Sequence, residues 1–224
     1  YPSERSVHQR PVPYLGGAAI YLASVAAILL TGPQDRATKQ GLIFGGLIIL
    51  IVGIIDDLYN LKPWQKLMGQ FVSALIVVAL GVDISFLTDP FTGTIRFTGI
   101  FAIPLTILWV VSFENLINLS DGLDGLAAGI SGITAIVTVF ASVRAGVPSV
   151  GLAAAAIAGS VFGFLPYNWH PASIFMGDAG AMYLGLALSV LSVQGLVKST
   201  LAMAVLAPIL ALLVPISDAA FAIL

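Results

Sequence analysis

Long runs without a single charge constrain this chain more than any other feature. Gly41–Ile55, Leu126–Val143, Ala145–Trp169 and Ala179–Val197 contain no Asp, Glu, Lys or Arg and are rich in Ala, Leu, Ile, Val and Gly. A bilayer-spanning helix needs about 20 mostly apolar residues. In hydrocarbon every backbone polar group must be bonded internally, so helices are the default and continuous apolar runs argue against alternating transmembrane strands. The whole 224-residue chain is 58% hydrophobic and 9% charged, where a soluble domain carries about 25% charged residues. So few charges cannot cover a water-soluble domain. The expected fold class is all-α: a polytopic integral membrane protein.

Hydropathy places about eight transmembrane helices, at Tyr14–Thr31, Gln40–Ile55, Gln65–Leu80, Ile100–Phe113, Leu123–Arg144, Ser149–Leu165, Ala179–Gln194 and Thr200–Leu224. The fourth is short and could extend to Leu119, and Pro208 or Pro215 could break the last. Between the third and fourth, residues 82–99 alternate apolar and polar around Asp89-Pro90-Phe91-Thr92-Gly93, the pattern of a small surface hairpin. There is no internal repeat and no composition shift, so residues 1–224 read as a single transmembrane domain. The polar start, Tyr1–Pro13, is not a signal peptide. Together with the apolar end, it leads us to expect a piece of a longer protein.

The absence of cysteine excludes disulfides and thiolate metal sites. A net charge of −2 with scattered basic residues gives no nucleic-acid signature. If each segment crosses once, one face receives Glu4, Asp56, Asp57, Glu114, Asp121, Asp124, Asp178 and Asp218, eight of the eleven acids, together with His8 and His170. That face is expected to hold the chemistry. Lys and Arg divide evenly between the faces and do not orient the chain.

Four constellations lie on the acidic face. Asp56-Asp57 ends an apolar helix, where the helix dipole disfavours acids, so a cation must offset them: a metal ion, Lys62 or Lys66. Asn118-Leu-Ser-Asp121-Gly-Leu-Asp124-Gly125 combines carboxylates, an amide and glycines that admit a polar ligand closely. If helical, Asp121 and Asp124 share a face; N-capping would explain one of them but not the set. The loop Pro166-Tyr-Asn168-Trp-His170-Pro171 through Phe175-Met-Gly177-Asp178 places Asp178 where an N-cap would sit. Opposite Asp56 and Asp57, it would complete an oxygen site for a hard cation such as Mg²⁺, which takes one or two carboxylates plus substrate phosphates. His8-Gln-Arg10-Pro-Val-Pro13, followed by Gly16-Gly17, could contact phosphate. No histidine pair has zinc spacing, and neither a G-x-S-x-G elbow nor a Walker A motif occurs.

Taken in order, His8…Pro13…Gly16-Gly17, Asp56-Asp57, Asn118…Asp121-Gly-Leu-Asp124-Gly-Leu-Ala and Asn168…Phe175-Met-Gly-Asp178-Ala-Gly resemble the polyprenyl-phosphate N-acetylhexosamine-1-phosphate transferases of bacterial cell-wall and envelope synthesis. The resemblance implies a fold of about ten helices in the bacterial inner membrane with a cytoplasmic active site. This chain would lack the first helix and the C-terminal part, including a histidine-rich loop. The implied reaction is Mg²⁺-dependent transfer (Mn²⁺ being an alternative metal) of a sugar phosphate from a UDP-sugar to a polyprenyl phosphate, releasing UMP. By the same resemblance Asp178 would hold the metal, and Asp56 and Asp57 would be the catalytic acidic pair, with a share in the metal site. Asn118, Asp121, Asp124, Asn168 and Phe175 would surround the nucleotide, while Lys66, His8 and Arg10 would meet phosphate. A homodimer is compatible with this family. Leu58-Tyr-Asn-Leu-Lys62-Pro63 after the acidic pair resembles the branch using UDP-N-acetylglucosamine more than the phospho-N-acetylmuramoyl-pentapeptide branch.

Two other classes fit less well. An ion-coupled transporter also carries intramembrane carboxylates, but its interrupted helices come in repeated halves. CDP-alcohol phosphotransferases carry an arginine after their aspartate motif, where this chain has Gly125-Leu-Ala.

Overall fold

The computed structural model describes residues 13–31, 35–88 and 95–196. Eight α-helices follow in chain order: α1 (Gly16–Thr31), α2 (Arg36–Gln40), α3 (Gly46–Tyr59), α4 (Pro63–Ala79), α5 (Ala102–Ser120), α6 (Leu126–Arg144), α7 (Pro148–Asn168) and α8 (Gly177–Leu196). A π-helical turn at Gly41–Gly45 joins α2 to α3, giving one continuous apolar helix over Arg36–Tyr59. The expected hairpin is present: β1 (Phe86–Thr88) pairs antiparallel with β2 (Ile95–Phe97), with Leu87 opposite Arg96. Apart from turns and short loops, the described residues are otherwise helical, as the hydropathy requires.

Local chemistry sets the helix ends. Asp35 caps α2, accepting the Thr38 N–H at 2.9 Å. Pro63 and Pro148 stand in the first turns of α4 and α7, where a missing N–H costs nothing. After α4 and α6, Gly81 and Gly146 adopt φ of +94° and +73°. The next residue's N–H then reaches back to Val77 and Ser142 respectively, the six-to-one bond that closes a left-handed glycine cap.

The middle of the bundle is α8, which packs on α5, α3, α1 and α6. Every residue from Ala181 to Ala187 is buried, as expected of a helix apolar on every side. Tyr183 meets Tyr21 edge-on at 5.1 Å and its hydroxyl lies 2.6 Å from Ser24 Oγ. Two glycine contacts bring backbones together: a Cβ on Gly53 would stand 2.3 Å from Ala179 Cα, and one on Gly17 would stand 2.3 Å from the Gly180 nitrogen. Small residues at such crossings are how helices associate where lipid removes the hydrophobic drive. Leu22, Leu30, Leu108, Ile133 and Phe140 face outward.

Among the described residues, four helices are long and apolar enough to cross a membrane, Arg36–Tyr59, Gly99–Ser120, Leu126–Arg144 and Pro148–Asn168, with Gly16–Thr31 shorter. Seven of the eight expected segments correspond to helices, and the eighth, Thr200–Leu224, lies outside the described residues. Several boundaries move. The fourth segment takes the longer of its two expected courses, past Leu119 to Ser120, because its polar side chains turn into the bundle. Glu114, expected in a loop, is therefore fully buried inside α5. The second segment continues through Asp56-Asp57 to Tyr59, where Asn60 at φ 50° ends it.

Candidate active site

Asn60 reverses the chain, so α3 and α4 run back to back and Asp56 faces Lys66. Asp56 Oδ1 accepts the Leu61 N–H at 2.7 Å, tying down the reversal. Lys66 Nζ then lies 2.8 Å from Asp56 Oδ2 and 2.7 Å from Asp178 Oδ2, and donates to Asn118 Oδ1 at 2.9 Å. An ammonium has three donors, and here all three are used. Asn118 Nδ2 donates in turn to Asp178 Oδ1 at 2.5 Å. Four residues from α3, α4, α5 and α8 thus close one polar knot at the ends of apolar helices. Of the cations expected beside the acidic pair, Lys66 is the one that meets Asp56.

Asp57 does different work. Its carboxylate accepts the N–H groups of Asp178 at 2.9 Å and Ala179 at 3.3 Å. It therefore caps α8 from another helix, where a negative charge meets the positive end of the dipole. Asp178 was expected as the N-cap of this helix. It lies instead in the first turn, and Asp57 supplies the capping oxygens, leaving the Asp178 carboxylate for Lys66 and Asn118. Its side chain is 35% exposed, against 16% for Lys66 and 7% for Asp56, so Asp178 is the member of the knot that an entering molecule meets first.

Asp121 and Asp124 occupy the turn between α5 and α6 and are not helical, so the shared helix face does not form. Burial first, and then the carboxylates of Asp178, Asp57 and Asp124, push the Asp121 pKa up to about 8. Between about pH 4 and pH 8 the folded chain then binds more protons than the unfolded one, so stability falls as pH rises through that window. Asp121→Asn removes this loss. In metal-free buffer the variant is expected to be more stable than wild type by about 1–2 kcal/mol near pH 8, after allowance for solvent screening, and equal to it below about pH 4. Unfolding of both proteins across that range checks the sign; parallel curves would refute it.

Asp124 Oδ2 lies 2.9 Å from His170 Nδ1 and accepts the Ala172 N–H at 3.1 Å, fastening the loop after α7. Asn168 is buried and uses both ends of its amide: Oδ1 accepts the Gly125 N–H at 3.0 Å and Nδ2 donates to the Ile174 carbonyl at 3.1 Å. Phe175 packs against Tyr14 with the rings tilted and their centres 5.4 Å apart, and its backbone pairs with Pro13 and Gly16. His8 and Arg10 lie outside the described residues. The structure therefore gathers Asp56, Asp57, Lys66, Asn118, Asp121 and Asp178 and connects Asp124, Asn168 and Phe175 through the adjoining loop. Sequence reasoning did not find Ser73 or Met182, which extend the polar contacts inward. The spacing of Lys66, Gln70 and Ser73 at i, i+4 and i+7 on an apolar helix was the available signal.

Among the described residues, no three Asp, Glu or His side chains converge as a metal cage. The donor set nonetheless suits a hard cation bound mainly through its ligand: the carboxylates of Asp56, Asp57 and Asp178 share the space with one ammonium. Mg²⁺ bound through one or two carboxylates and completed by phosphate oxygens and water fits these residues.

Residues 40–196 match the family described as Glycosyl transferase family 4. Over its whole length the chain is 43% identical to a probable undecaprenyl-phosphate N-acetylglucosaminyl 1-phosphate transferase of Bacillus subtilis (strain 168), covering 62% of that protein. A decaprenyl-phosphate N-acetylglucosaminephosphotransferase of Mycolicibacterium smegmatis is 37% identical over 86% of the chain and 52% of its own length. A phospho-N-acetylmuramoyl-pentapeptide-transferase of Lactobacillus gasseri is 35% identical over 81% of the chain and 61% of its own length. The chain thus spans between about half and three-fifths of the length of these relatives. With the family match covering all four residues of the knot, the chain belongs to glycosyl transferase family 4.

Proposed function

We propose that the protein transfers N-acetylglucosamine 1-phosphate from UDP-N-acetylglucosamine to undecaprenyl phosphate, or another polyprenyl phosphate, releasing UMP. The observation that carries this reading is the knot in which Lys66 is held by Asp56, Asp178 and Asn118. It places one fixed cation among carboxylates at the end of an apolar bundle, where a lipid phosphate can arrive from the membrane and a nucleotide from water. Phosphoryl transfer asks little covalent work of a protein; it asks for position and for charge opposite the moving phosphoryl group.

In this reading Asp178, the most exposed carboxylate of the knot, holds Mg²⁺, with Asp57 beside it fixing the turn. When bound, the metal supplies charge neutralisation at the pyrophosphate oxygens. Lys66 orients Asp178 and presents positive charge to phosphate. Asp56 or Asp57 accepts the proton of the lipid phosphate. Asp121, Asp124, Asn168 and Phe175 shape the nucleotide side, and His8 and Arg10 approach phosphate from the N-terminal segment. Eight crossings in this chain, a bacterial inner-membrane location and a site facing the cytoplasm complete the proposal.

The test is UMP release by the full-length protein with UDP-N-acetylglucosamine and undecaprenyl phosphate, with and without Mg²⁺. Release that needs lipid and metal together supports the reading. Release only with the muramoyl-pentapeptide donor would move the protein to the branch of the Lactobacillus relative. Silence with both donors from folded protein would sink it.

A further inference from the structure

Three helices carry matched residues inward from the site. On α4 these are Lys66, Gln70 and Ser73; on α5, Asn118, Asn115 and Glu114; on α8, Asp178, Met182 and Gly185. Each set lies along one helix face. The outer level is the Lys66 knot. At the middle level Asn115 Nδ2 donates to Gln70 Oε1 at 2.8 Å, and Gln70 Nε2 lies 3.5 Å from Met182 Sδ. At the inner level Ser73 Oγ lies 2.7 Å from Glu114 Oε1, and a Cβ on Gly185 would stand 2.5 Å from Glu114 Cα. Gln70, Ser73 and Glu114 are all fully buried.

Proton counting decides the state of the inner level. Ser73 Oγ is also 2.7 Å from the Gln70 carbonyl oxygen. One hydroxyl proton shared between two acceptors makes only a weak three-centre bond to each, not two full bonds at 2.7 Å. Both contacts are hydrogen bonds when Ser73 donates to Gln70 and Glu114 donates to Ser73. Glu114 Oε2 has no hydrogen-bond partner. A bare carbonyl oxygen there costs a few kcal/mol at most, whereas an unpaired carboxylate in an apolar interior costs far more.

We propose that Glu114 is a positioning residue of the active site: as a neutral carboxylic acid it donates to Ser73 and sets the α4–α5–α8 register that holds Lys66 between Asp56, Asp178 and Asn118. The kinetic part of this inference rests on the transferase reading; the other readouts do not. Glu114→Gln keeps a neutral donor of the same shape, and Glu114→Leu removes it.

Three measurements on the full-length protein test the proposal. In infrared difference spectra at neutral pH, wild type minus Glu114→Gln shows the carbonyl band of a protonated carboxyl group. Acylation of Lys66 by an amine-reactive ester, followed by mass spectrometry, is slow in wild type and Glu114→Gln and about tenfold faster in Glu114→Leu, as expected when a buried bond costing about 1.4 kcal/mol is lost. In UMP release, Glu114→Leu loses roughly 10–100-fold in kcat with KM nearly unchanged, the signature of misplaced groups rather than lost binding, while Glu114→Gln stays near wild type.

Absence of the carboxyl band overturns the proposal. So does a Glu114→Gln variant as impaired as Glu114→Leu, or a Glu114→Leu variant that is merely less heat-stable with Lys66 still protected. A wild type that releases no UMP but shows the band and the Lys66 protection pattern counts against the transferase reading and leaves the positioning role supported.

Discussion

On the proposed transferase reading, Lys66→Met will lower the rate of UMP release by at least about 10³-fold, the scale set by removal of a single cation opposite a transferring phosphoryl group. Methionine preserves much of the buried stem, so the loss comes from the charge and its three hydrogen bonds. Those bonds reach Asp56, Asp178 and Asn118, residues from three other helices. Without them Asp56 and Asp178 face each other uncompensated, and breaking a buried ion pair from one side costs about 3–5 kcal/mol. Lys66→Arg will not rescue the rate to within about tenfold, because a planar guanidinium fork cannot direct three donors at acceptors arranged around a point. Steady-state UMP release, with size-exclusion and thermal unfolding as folding controls, checks both variants. A folded Lys66→Met protein with near-normal rate would remove Lys66 from the mechanism.

How much of this could be read in advance differs between fold and site. Helix existence was legible because hydropathy and breakers agree: Pro63, Gly81, Gly146 and Pro148 stand at helix ends, and uncharged runs lie between them. Helix ends within the site were not legible. Asp56, Glu114, Asn115 and Asn118 sit beside apolar runs where loop and helix were both open, and all are helical, because α8 offers an inward face on which polar groups find partners. Pro166, too, sits inside α7 and does not end it. The π-helical turn at Gly41–Gly45 left no distinctive pattern.

Within the site, residue types announced the chemistry but not the pairings. Two adjacent aspartates at a helix end required a cation, and Lys66 was a named candidate. That Asp56 takes the lysine while Asp57 caps α8 depends on the rotation of α3 against α8, which the Gly53–Ala179 contact sets. Such register belongs to tertiary packing and leaves only small residues as its trace. The same reason hid the inner level: Ser73 is unremarkable until Glu114 is placed against it.

The more exposed carboxylate of the knot provides the sharpest separation of charge from packing. Asp178 accepts at both oxygens, from Lys66 at Oδ2 and from Asn118 at Oδ1. Asparagine at 178 has one acceptor and one donor group, so Asp178→Asn must set its amide against a donor as well as lose the charge. UMP release is expected to fall about 10³-fold, equivalent to several kcal/mol of charge stabilisation, with stability down by about 1–3 kcal/mol. The exchange Asn118→Asp with Asp178→Asn returns a carboxylate and an amide to the same pair of positions, one helix over. Its hydrogen bonds can be remade, because the amide at 178 donates to the carboxylate at 118 and Lys66 still finds acceptors on both. Stability should return while activity does not, since the charge now sits on α5 and not at the exposed turn of α8 that Asp57 caps. Mn²⁺ binding followed by electron paramagnetic resonance, without substrates present, should weaken in both proteins. If the exchange restores activity together with stability, only the net charge of the knot matters and Asp178 loses its particular place.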